Sequence, residues 1–204
     1  MGSKKTIWIV IIVAILCLIG GNGCSSYNSM VTGEETVESA WAKVEVQYQR
    51  RFDLIPNLVE TVKGYAKHES ETYESVTRAR AGLDDAYQKA KGLEGEDMNS
   101  AESFEKYTGA QADLNRALSI YVNAVHEAYP DLKADTQFRD LQVQLEGTEN
   151  RISTERTNYT NVVKEYNVSI RRFPKSIWAN IFGFQAKPQY KADEAAQSAP
   201  KVQF

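Results

Sequence analysis

RRFDLIPNLVETVKGY, residues 50–65, places a proline inside what otherwise reads as an apolar helix face, with two arginines and an aspartate just before it. The positions on either side keep one register. Val37, Trp41, Val44, Tyr48, Phe52, Ile55, Val59, Val62 and Ala66 follow one another in steps of three and four, the spacing that lines side chains along one stripe of an α-helix. Pro56 has no N–H to give the carbonyl of Phe52, and its ring crowds that turn, so a kink or break is expected over residues 52–55. Asp53 would then cap the second piece and leave Pro56 in its first turn. On this reading Pro56 is a helix bend between a helix at residues 34–52 and another at 54–91, whose stripe continues through Tyr73, Val76, Leu83 and Tyr87.

Toward the C-terminus, Gly92, Gly95, Asp97 and Asn99 form a polar connector. Asn99 with Glu102 resembles a capping box, and Phe104, Tyr107, Gln111, Leu114, Leu118, Tyr121, Val125 and Ala128 follow with the heptad spacing of a coiled coil. YPD at 129–131 ends this third helix. Asp135 is placed to cap a fourth, with a stripe of Phe138, Leu141, Leu145, Thr148, Ile152, Tyr159, Val162, Tyr166, Ile170 and Phe173, stopped by Pro174. No period-two run interrupts this pattern, so the predicted class is all-α: an elongated antiparallel up-and-down four-helix bundle. KSIWANIFGF at 175–184 suits one short helix, and the polar end of the chain from 193 is expected to be disordered.

At the other end, Lys4 and Lys5 precede IWIVIIVAILCLIG at 7–20, which has no charge and no polar face. Residues 6–23 come near the lower limit of about 18 residues for crossing a bilayer. The segment is therefore a short span, a secretory signal or a lipoprotein signal acylated on Cys24, the candidate lipidation site, although Gly21 stands where such signals usually carry a leucine-like residue. Lysines precede the segment and no Lys or Arg occurs in 22–32, which places the remainder outside the cytoplasm, held at the cell membrane by a single N-terminal anchor. The chain thus divides into an anchor or lipoprotein signal at 1–26, a helical bundle domain at 27–190 and a tail at 191–204.

Composition excludes several functions. A net charge of −3 gives no excess of cations for a phosphate backbone, so no nucleic-acid partner is expected. Both cysteines, Cys17 and Cys24, lie in or beside the apolar segment, which removes thiolate chemistry from the folded part. The two histidines, His68 and His126, have Tyr65 and Asn123 three residues before them, not the Glu of a bundle di-iron motif. No Gly-x-Ser-x-Gly elbow, phosphate loop or dinucleotide fingerprint is present. The expectation is a protein without catalytic, cofactor-binding or metal-binding residues.

Charges in the apolar registers stand out. Glu69 and Arg80 fall on the second stripe and Glu155 on the fourth, with Glu149 and Arg151 nearby. They form either a buried polar layer that fixes which helix faces which, or a groove for a peptide or small ligand. Ile177, Trp178, Ile181, Phe182 and Phe184 either close the open end of the bundle or enter a membrane interface or partner.

SSYNSMV at 25–31, WAKVEVQYQRRFDLIPNLVETVKGYAKHE at 41–69, EAYPDLKAD at 127–135, F-x-x-L-Q at 138–142, LEGTENRI at 145–152 and YNVSIRRFP at 166–174 resemble, in order, the segments of the LemA family. The resemblance implies an N-terminal membrane segment followed by a helical bundle, and carries over no catalytic residue. The expected function is a membrane-anchored interaction or scaffold module of the bacterial envelope, with an unidentified envelope or membrane protein as partner.

Overall fold

The structure, a computed structural model, describes residues 2–67 and 73–190, without the side chains of residues 1–7, 12 and 14–19. Among the described residues five α-helices follow in order: α1 Gly2–Ala66, α2 Glu74–Lys91, α3 Ala101–Ala128, α4 Thr136–Arg171 and α5 Lys175–Phe182, with a short 3-10 helix, Pro130–Ala134, between α3 and α4. Among the described residues there is no strand.

Helix α1 passes through Pro56 without a break, contrary to the expected interruption at 52–55. Pro56 is exposed, so the rung it removes lies on the solvent side, while Phe52, Leu54, Ile55, Leu58 and Val59 around it are buried and hold the helix by packing. Asp53 is no cap. Its carboxylate accepts from Gln49 Nε2 at 2.9 Å within the same helix, and its carbonyl accepts from Asn57 Nδ2 at 3.2 Å. The chain leaves α1 after Ala66 and re-enters helix at Glu74.

Two further boundaries differ from expectation. Ser100, not Asn99, caps α3, accepting from Ser103 N at 3.4 Å, while Asn99 turns back to Asp97 Oδ1 at 2.9 Å. On α4 the buried position is Val163, not Val162, and Phe173 lies beyond the helix, 82% exposed. Asp135 does cap α4, accepting from Phe138 N at 2.9 Å.

Contacts fix how the helices run. Arg51 meets Glu149 on α4 and Glu34 lies near Tyr166, so α1 and α4 descend past one another. Tyr73 stacks edgewise on Tyr129 while Lys89 approaches Asp113, so α2 and α3 do the same. The buried residues form two apolar clusters. One gathers Phe52 to Val62 of α1 with α2, most of α3 and the start of α4, including Leu58, Leu83, Leu114 and Phe138. The other gathers Met30 to Tyr48 of α1 with Phe104, Tyr107, the second half of α4 and Ala179 of α5.

After α5, Gly183 takes a left-handed conformation (φ +79°), which suits glycine, and Phe184 N returns to Ala179 O at 2.9 Å. Residues 184–190 then run without regular structure across the second cluster.

Candidate functional site

Between the two clusters lies a polar layer centred on Arg51, which is 3% exposed. Its guanidinium donates to Glu149 Oε2 at 3.1 Å and to the carbonyl of Gln111 at 3.1 Å, with a further short bond to Gln111 Oε1. Asn115 Nδ2 reaches the other Glu149 oxygen at 3.3 Å, and the Tyr48 ring lies 5.3 Å from the guanidinium carbon. Burial lowers the pKa of Arg51 and the Glu149 carboxylate opposes that shift, so the cation is held by its counter-charge in a desolvated place. Thr148, fully buried beside Glu149, satisfies its hydroxyl on Gln144 O at 2.7 Å. Two buried donors in this layer, Arg51 Nε and Gln111 Nε2, have no acceptor among the described residues. A cavity of about 270 Å³ opens beside Arg51 between α3 and α4, lined by Arg51, Asn115, Leu118, Gln142, Leu145 and Glu149 among others.

Of the charges singled out from sequence that lie among the described residues, only Glu149 belongs to this layer. Arg80 is partly exposed, with Nε 3.8 Å from Asp84 Oδ2 on its own helix. Arg151 is exposed, and Glu155, half-buried, accepts from Asn158 Nδ2 at 3.4 Å. Glu69 lies outside the described residues. Arg51, read as one side of a bend, is the residue at the centre, and Gln111, read as part of a heptad, is its partner. Among the described residues no three His, Cys, Asp or Glu side chains are grouped to hold a metal ion.

The end of the bundle nearest the N-terminus forms a second region. Cys24 is exposed and free on α1. Its neighbour Gly23 lies against Trp178 of α5 so closely that a Cβ there would stand 3.1 Å from the indole. The aromatic cluster read from sequence divides. Trp178 and Phe184 pack on the core, while Ile177, Ile181 and Phe182 face outward. Tyr27 stacks edgewise on Phe182 at 5.0 Å and on Phe184 at 5.7 Å. Lys175 ties this end together, donating to Ser29 Oγ at 2.9 Å and Ser169 Oγ at 3.0 Å. Among the described residues no helix is long and apolar enough to cross a membrane, and most side chains of the apolar run at 7–20 lie outside them, as does the tail at 191–204.

Comparison with known proteins gives a family match: the model described as LemA family covers residues 40–204. The chain is 26% identical over 187 residues to magnetosome protein MamQ 2 of Paramagnetospirillum magneticum, an alignment covering 86% of this chain and 68% of that protein. Magnetosome protein MamQ of Magnetospirillum gryphiswaldense matches with the same 26% identity and the same coverage of 86% and 68%. Protein LemA of Metamycoplasma hominis is 22% identical over 153 residues, covering 75% of this chain and 61% of that protein.

Proposed function

The chain belongs to the LemA family, and from that premise we propose that it is a membrane-anchored, extracytoplasmic interaction or scaffold module of the bacterial envelope, built as an elongated antiparallel up-and-down four-helix bundle. It acts by holding partners rather than by catalysis, and its partner is an envelope or membrane protein rather than a nucleic acid. The observation that carries this reading is the continuity of α1: one helix runs from Gly2 through the apolar run and on to Ala66, so the segment suited to lipid and the bundle share a single backbone element. That relatives are named for a cellular body, the magnetosome, and not for a reaction also supports a part in assembly. Protease added to intact spheroplasts should digest the domain beyond Cys24, and full protection until lysis would place the domain in the cytoplasm. Cys24→Ala separates the two modes of anchoring. Loss of fatty-acid labelling with release into the soluble fraction supports an acylated anchor, and retention in the membrane fraction supports a spanning helix.

A second reading is favoured by the unsatisfied donor Arg51 Nε beside the α3–α4 cavity. It suits a small ligand, or the end of a peptide, that brings an acceptor oxygen. Bound ligand copurifying with the native protein, and lost on Asn115→Leu, would favour this reading over the scaffold.

A further inference from the structure

The segment 184–190, FQAKPQY, is held as a bound peptide is held. Asn167 grips the backbone of Lys187 with both ends of its amide, Nδ2 donating to the Lys187 carbonyl at 2.9 Å and Oδ1 accepting from the Lys187 N–H at 2.9 Å. Tyr159 donates its hydroxyl to the carbonyl of Pro188 at 3.1 Å. The Lys187 ammonium sits between the Glu34 carboxylate and Asn99 Oδ1, the latter at 2.7 Å. Tyr190 enters a cage of rings, with Phe104 at 5.1 Å, Tyr159 at 5.8 Å and Trp41 at 6.4 Å, the Arg156 guanidinium over its face at 4.3 Å and its hydroxyl 3.2 Å from that of Tyr48. Burial pushes the Tyr190 hydroxyl well above its ordinary pKa, so it remains a neutral phenol there.

These contacts have the division of labour found in extended-peptide recognition: side-chain amides and hydroxyls take the backbone without regard to sequence, and separate pockets take two side chains, those of Lys187 and Tyr190. Gln185, Ala186 and Gln189, on either side of Lys187, are exposed. The hydrogen bonds to residues 187–190 come from side chains of the bundle, so the segment can leave without breaking a helical rung. It also leaves the cage unsaturated, because the buried Trp41 Nε1 beside Tyr190 has no acceptor among the described residues.

We propose that this groove, formed by α1, α4 and the start of α3, is a docking site for an extended Lys-Pro-x-Tyr segment, filled in cis by residues 184–190 and exchangeable with the same segment of a second copy of this chain. The occupant is a second copy because the segment that fits every pocket is the chain's own, hinged at Gly183. An intramolecular segment competes at an effective concentration of order millimolar, so exchange needs crowded neighbours, which copies confined to one membrane surface provide. The proposal rests on the interaction-module reading and adds its binding site and partner.

The test uses the full chain in detergent. Lys187→Ala/Tyr190→Ala removes the anchors and leaves the groove intact, and a fluorescent FQAKPQY peptide is titrated against it. The expected result is saturable binding to this variant, about tenfold or more weaker to the parent, where the cis segment competes, and about tenfold or more weaker again when Asn167→Ala removes the backbone clamp. A variant that melts cooperatively yet binds no peptide overturns the proposal. Should the variant lose its cooperative melt, excess peptide is added to the parent, and accelerated hydrogen exchange at the Lys187 amide reports displacement. No acceleration overturns the proposal equally. Differently tagged copies, one with Asn167→Ala and the other lacking the anchors, should copurify, and two copies lacking the anchors should not. Peptide binding without copurification overturns the second copy as occupant. Spheroplast protection and fractionation are independent of all these readouts, so failure of the groove and failure of the envelope module are distinguishable.

Discussion

Arg51 is the one charge in a seam of otherwise uncharged buried side chains on α1. Val44, Tyr48, Arg51, Ile55, Leu58 and Val62 are spaced by fours and threes, a heptad seam through the middle of α1. A charge in such a seam reads as surface until the partner is known, and Gln111 and Glu149 come from positions 60 and 98 residues away. From sequence Glu149 is one of several charges read as either a polar layer or a ligand groove; its pairing with Arg51 cannot be read there, because pairing is a property of packing. Arg51→Ala should cost about 3 kcal/mol or more in urea unfolding, since it opens a cavity and leaves buried Gln111 acceptors unpaired. Glu149→Gln should cost about 1–3 kcal/mol, less than for a fully buried pair because Glu149 is partly exposed. The double substitution should fall short of the sum by about 1 kcal/mol, and additivity would mean that the two charges do not sense each other.

At the level of the helix, periodicity locates α3 and α4, but it begins the first helix at residue 34 and breaks it at 52–55, whereas α1 runs unbroken from Gly2 to Ala66. The register passes through Pro56, where buried Phe52, Ile55, Leu58 and Val59 keep the helix continuous, and burial is something a stripe alone does not report. Pro56→Ala restores a donor to Phe52 O in a helix that is already continuous, and should raise the melting midpoint by an amount equivalent to no more than about 3 kcal/mol. Ile55→Asp, at a position 2% exposed, should instead cost about 3 kcal/mol or more. If Ile55→Asp melted like the parent, this stretch of α1 would not be packed. Glycines give a complementary test. A Cβ at Gly82, Gly109 or Gly147 would meet nothing within 4 Å, so each Gly→Ala should add up to about 1 kcal/mol. At Gly33 a Cβ would stand 3.0 Å from the Tyr166 ring, and the bulkier Gly33→Val should destabilise by about 1–3 kcal/mol, read in thermal melts by circular dichroism.

For the whole molecule, the buried phenols set an alkaline limit. Burial, with the Glu34 carboxylate adding to it, raises Tyr166 to about 12, and burial pushes Tyr107, Tyr121 and Tyr159 well above their ordinary value too. Below about pH 10 these tyrosines are neutral in both the folded and unfolded chain, and their contribution to stability is complete. Above it the unfolded chain ionises them while the fold retains their protons, so stability should fall as pH rises from about 10 through 12. Urea midpoints at about pH 8 and about pH 11, with tyrosinate absorbance as the second signal, check this: absorbance should rise with unfolding, not before it.

Because α1 has no joint between the apolar run and the bundle, the proposed anchor and the rod lack a swivel. From Gly20 to Ala66 the helix extends about 70 Å, and each residue inserted near Ser25 would lift the rod by about 1.5 Å and turn it by about 100°. Height above the lipid and compass bearing are therefore set together, and the Gly23–Trp178 contact locks α5 to the same bearing. Two neighbours rooted in one membrane would meet along sides chosen by the phase of this single helix, so one added residue would turn the facing sides apart, while seven would bring them nearly back into line at a greater height.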